Sequence, residues 1–114
     1  MKQLFKAFAY SVVLAIITLF SVALGWKNPL LLTIILILIS IIMIIIYNDK
    51  EDIYLYIVSG IAGATAEAIA IAFGAWTYAF PNIIGIPYWL PFLWGIAALF
   101  IKRMINAIHK HFIL

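Results

Sequence analysis

Three of the four acidic residues in this 114-residue chain stand together at Asp49, Glu51 and Asp52, while the fourth, Glu67, is alone in the stretch "GIAGATAEAIAIAFGAWTYAFP", residues 60–81. An ionisable group set among alanines, glycines and isoleucines is costly. Such a group marks a proton site, a cation site or a polar contact for a ligand. Downstream, residues 76–94, "WTYAFPNIIGIPYWLPFLW", gather three of the four tryptophans and three of the four prolines. An acid at the floor of an aromatic-walled cavity suits a proton, a cation or an amphiphile, an isoprenoid chain included. The residues that could build this site are Glu67, Trp76, Tyr78, Asn82, Tyr88, Trp89 and Trp94. The plainer reading makes the aromatics an interfacial belt and Glu67 a carboxyl that ties two helices together.

Partners for Glu67 are available as the hydroxyls of Thr18, Ser21, Tyr78 and Tyr88, the indoles of Trp76, Trp89 and Trp94, and the amide of Asn82. No Lys or Arg occurs between Glu51 and Lys102, so a basic partner is not expected. An unpaired ionised carboxylate is expensive to bury. The expectation is therefore a neutral carboxyl that donates one hydrogen bond.

The surroundings of this site follow from composition. With 68% hydrophobic residues, 10% charged residues and a mean hydropathy of +1.24, the chain lies outside the range of soluble globular domains and belongs in a lipid bilayer. The net charge of +3 is too small to suggest a nucleic-acid partner, and none is expected. Cysteine is absent, which excludes disulfides, thiol catalysis and thiolate metal sites. There is no phosphate loop, nucleophile elbow or metal-ligand cluster. His109 and His111 are two residues apart, and on a helix they would not share a face. No metal, cofactor or catalytic residue is expected, and a non-enzymatic role is the leading reading.

Runs of about 17–25 apolar residues cross a hydrocarbon core of roughly 30 Å as helices, and the chain supplies four, at about 5–25, 30–47, 53–79 and 88–108. The expected fold is all-α, a single polytopic transmembrane domain over residues 1–114 arranged as an up-down-up-down four-helix bundle. Trp26-Lys27-Asn28-Pro29 reads as a tight hairpin, with proline opening the second helix. Asn48 or Asp49 can cap the third helix, in a charged loop that belongs in water. The uncharged segment 81–87 is expected to lie in the interface or fold back over the bundle. Met1–Ala23 has features of a signal peptide, but its apolar run exceeds the usual length, and a retained first helix is the simpler expectation.

Charge orients the bundle. Lys2, Lys6, Lys50, Lys102, Arg103 and Lys110 fall on one face and only Lys27 on the other, so the positive-inside rule predicts both termini in the cytoplasm of a multi-pass cell-membrane protein. Lys102, Arg103, His109, Lys110 and His111 read as a basic flank touching anionic headgroups. In the third span, Gly60, Gly63, Ala70 and Gly74 form a small-residue face that lets a neighbouring backbone approach closely. That face predicts the third helix at the centre of the bundle. The pairs Ser11/Thr18 and Thr33/Ser40 each share a stripe, and either bond inward across helices or return to the carbonyl one turn back.

The spacing of Glu67, Gly74-Ala75-Trp76-Thr77-Tyr78, Gly85-Ile86-Pro87, Pro91 and Trp94 resembles a pattern of small uncharacterised prokaryotic integral membrane proteins. Over residues 60–100 it also resembles the carotenoid-biosynthesis membrane proteins, in which a membrane acid precedes a Gly/aromatic stretch and a Gly-x-Pro loop. That resemblance implies an isoprenoid ligand and carries over no catalytic residue. A chain of this length with one intramembrane Glu is similar, too, to the small multidrug resistance transporters, which bind protons and cationic drugs at that residue. The leading expectation is a small carrier-like membrane protein whose outward-facing pocket around Glu67 binds a proton, cation or amphiphile. Two alternatives stand beside it: a noncatalytic subunit or assembly factor, acting as a homodimer or within a larger membrane complex, and a membrane enzyme of isoprenoid metabolism.

Overall fold

A computed structural model describes residues 2–109; Lys110 and His111 of the basic flank lie outside the described residues. Four helices account for the regular structure: α1 (Lys2–Gly25), α2 (Pro29–Tyr47), α3 (Lys50–Ala72) and α4 (Leu90–Ile108). All four are long and apolar enough to cross a membrane. Their ends are set by local chemistry. The Asn28 side chain accepts the Leu31 amide ahead of Pro29, which occupies the position where a missing donor costs nothing. Asn48 stops α2 in the left-handed conformation at φ 51°, a region asparagine tolerates. Asp49 then caps α3 by accepting the Glu51 amide at 3.0 Å.

Consecutive helices run in opposite directions. Trp26, after α1, lies with its ring 5.6 Å from that of Phe80, in the connection between α3 and α4. At the other end Met43 of α2, Asp52 of α3 and Arg103 of α4 meet. The centre of the bundle, however, is α4 and not α3. Helix α4 packs on all three others, α1 and α2 also pack together, and α3 has its broad interface with α4 alone. The small-residue face of α3 is an approach surface, as expected, but for a single neighbour. Its remaining surface, including Ile57, Val58, Ile61 and Ile69, is exposed and apolar.

Close approach between α3 and α4 depends on three glycines. A methyl group at Gly60 would meet the Pro91 carbonyl at 2.8 Å, one at Gly63 would overlap the Trp94 indole, and one at Gly95 would overlap the Tyr56 ring. Helix α2 contributes one fully buried stripe, Leu32, Leu36, Ile39 and Met43, and leaves its other sides exposed. The hydroxyls of Thr18, Ser21 and Thr33 return to carbonyls one turn back, each at 2.7 Å. Ser40 does the same at 2.7 Å and also reaches Tyr56 on α3 at 2.5 Å.

Helix α3 ends at Ala72, earlier than the span to residue 79 expected from hydropathy. Gly74, at φ +88°, turns the chain, and Ala75 N–H reaches back to the Ala70 carbonyl. Gly74 therefore lies beyond the helix, with open space where a side chain would be, and takes no part in packing. The connection 73–89 folds back along α3. A tight turn at 83–86 carries positive φ at Ile84 and Gly85, and Ile86, Pro87 and Trp89 anchor it in the core.

Candidate functional site

The α3 stripe that faces α4 reads Asp52, Tyr56, Gly60, Gly63 and Glu67, spaced by four, four, three and four residues. It carries one carboxylate near each end and glycines between them. The two carboxylates have opposite environments.

At the Trp26–Phe80 end, Glu67 is half-buried. The Tyr78 hydroxyl donates to its Oε1, and the Trp94 indole N–H donates to its Oε2 at 2.5 Å. Both carboxyl oxygens are thus hydrogen-bonded, one to a phenol and one to an indole. An indole N–H can only donate, so Oε2 is fixed as an acceptor, whereas a phenol can donate or accept. Glu67 is in no ion pair among the described residues. Burial, followed by the hydrogen bond to Glu67, pushes the Tyr78 phenol above its ordinary range.

These groups border a groove of about 420 Å³. Its floor is the Leu90, Leu93, Trp94 and Ala97 face of α4; α3 supplies Glu67 on one side and α1 supplies Val22 on the other. Tyr78 and Trp89, from the connection between α3 and α4, also line it, their rings set edge to face at 6.0 Å. The Trp89 indole N–H is buried without a hydrogen-bond partner.

Of the residues expected at the site, the structure brings together Glu67, Tyr78, Trp89 and Trp94. Trp76 and Tyr88 are exposed and border no part of the groove. Asn82 is also elsewhere: its Oδ1 accepts the Tyr88 amide at 2.9 Å, which shapes the connecting turn. Of the packing residues, Gly60 and Gly63 lie in the α3–α4 seam and Ala70 is half-buried.

Comparison with family models, curated proteins and solved structures returned no match. What the site does must be argued from its own chemistry.

At the opposite end, Asp52 is fully buried and accepts Lys102 Nζ at 2.6 Å and Arg103 Nη2 at 2.8 Å. Arg103, only 2% exposed, also donates to the Met43 carbonyl at 2.8 Å and stacks over the Tyr47 ring. Its Nε has no partner. Lys102 completes the network by bonding Asp49 at 3.1 Å. The Glu51 amide and then Lys102 hold the Asp49 carboxyl below the usual carboxylate range. Position beside apolar runs predicts Asp52 in water and Lys102 and Arg103 at headgroups; the structure instead turns them toward one another. A signal was present: Ile96, Leu99, Arg103 and Ala107 share one face of α4, so an apolar stripe carried the arginine inward.

Proposed function

We propose that this is a small multi-pass membrane protein that binds a proton or an organic cation with an apolar body at Glu67. The supporting observation is a carboxylate held by two neutral donors and no cation, beside an aromatic and aliphatic groove large enough for a small ligand. A carboxylate satisfied by neutral groups keeps its charge available to a bound cation, and the faces of Trp89, Trp94 and Tyr78 suit the same partner. The charge distribution supports an orientation with both termini in the cytoplasm and Glu67 in the outer half of the membrane.

The test is binding of tetraphenylphosphonium to the purified protein, followed by tryptophan fluorescence. Saturable quenching in the wild type that is lost in Glu67→Gln, with helicity and melting retained, is expected. Equal quenching in both proteins would remove Glu67 from the site. A pH titration of the same fluorescence reports the proton: the Glu67→Gln protein should lose the wild-type transition.

A further inference from the structure

The groove opens between two helices. Helices α1 and α3 both pack on α4 but not broadly on each other, and the groove lies between them, with Val22 on one lip and Glu67 on the other. Tyr78 and Trp89 also line it. An opening between two membrane-crossing helices faces the side of the bundle, where acyl chains are, and not the water at either end.

Among the described residues the groove's lining reaches no further along α3 than Glu67 and no further along α4 than Ala97. Beyond Glu67 the α3–α4 seam is filled by Trp94 against Gly63, Pro91 against Gly60 and Tyr56 against Gly95. The Ser40–Tyr56 hydrogen bond then ties α3 to α2, and the Asp52, Lys102 and Arg103 network closes the far end. Opening that end would strip a buried carboxylate of its cations, whereas releasing Tyr78 from Glu67 costs one hydrogen bond to a half-buried group.

We infer that the site is a one-sided lateral pocket that takes a bilayer-dissolved cationic amphiphile from a single leaflet and returns it to that leaflet, without carrying it across. The inference rests on the cation-binding reading of Glu67. It adds the class of ligand, a cationic head on an apolar tail, and the absence of translocation. Charge complementarity selects the head, and the wall of Leu93, Ala97 and Val22 leading to the gap accommodates the tail.

The test uses vesicles containing the protein with Trp26→Phe and Trp76→Phe, which leaves Trp89 and Trp94 as reporters. The probes are a nitroxide-labelled hexadecyl quaternary ammonium and the same nitroxide as a trimethylammonium. Saturable quenching by the long-chain probe, severalfold weaker in Glu67→Gln and in Val22→Phe, is expected, with little quenching by the short one. External ascorbate should reduce the outer-leaflet probe and leave the inner pool decaying no faster than in protein-free vesicles. Equal Glu67-dependent quenching by the short probe would place the entrance in water, and an accelerated loss of the inner pool would show translocation; either overturns the inference while cation binding stands. Quenching by neither probe in a Glu67-dependent way would overturn both.

Discussion

The two ends of the α3–α4 seam set the same kind of residue among opposite partners. Asp52 is satisfied by two cations and a surrounding of three helix ends, and it is fully buried. Glu67, fifteen residues further along the same stripe, has only a phenol and an indole, and it borders a groove. A carboxylate with its counter-ions in place has no charge left to offer. One held by neutral donors does. The partners, and not the acid itself, separate the two positions, and they are the ground for proposing binding at Glu67 and a structural role for Asp52.

The comparison breaks most visibly at the charged end. Arg103→Gln leaves Asp52 with Lys102 alone in a buried setting, and loss of such a partner costs about 3–5 kcal/mol. A large drop in melting temperature in detergent is expected, with partial recovery when Asp52→Asn is added, because the two substitutions act on one interaction. Additive losses would mean that Arg103 stabilises through the Met43 carbonyl and the Tyr47 ring instead.

Gly63→Ala comes next. The added methyl overlaps the Trp94 ring, so overpacking of about 1–3 kcal/mol is expected, together with a displaced indole. A shift in tryptophan emission and a matching loss of tetraphenylphosphonium binding would show that packing at Gly63 positions the Glu67 donor. Glu67→Gln is expected to be far milder for stability, under about 1 kcal/mol, because the amide keeps an acceptor for Trp94 and can donate to Tyr78. A melting loss as large as that of Arg103→Gln would erase the distinction between the two ends.

The smallest effect belongs to Asp49. Its folded-state pKa is lowered, so its contribution is complete above about pH 4, where the unfolded carboxyl is ionised, and is lost as the pH falls through the lowered value. In Asp49→Asn, which retains a capping side chain, the part of the acid-induced loss of stability below about pH 4 that comes from this group should be absent. Melting curves taken from pH 6 to pH 2 check the sign.

Hydropathy made the four helices legible, because long apolar runs leave few alternatives. The pairing of Glu67 with Tyr78 and Trp94 was only half legible: both stood among eight candidates, and the choice depended on α3 ending at Ala72 so that the chain could fold back over its last turns. Hydropathy continues smoothly past that point and gives no sign of the turn at Gly74. The charged network was misplaced for a different reason. Charges next to apolar runs are read as water-facing, yet Asp52, in the first turn of α3, and Arg103, more than a turn before the end of α4, lie on the faces those helices bury. The central place of α4 was hidden as well, since small residues on α3 announce close contact without saying how many neighbours share it.

Arg103 of α4 touches both α2 and α3, and this has a bearing on assembly. A ribosome delivers α2 and α3 before it delivers α4, so the acceptors of the guanidinium, Asp52, the Met43 carbonyl and the Tyr47 ring, are synthesised some fifty residues or more ahead of it. Helix α4 thus emerges with a charge whose destination has already been made. Its arrival gives Asp52 both of its cations, and a helix made after the other three becomes the one that joins them.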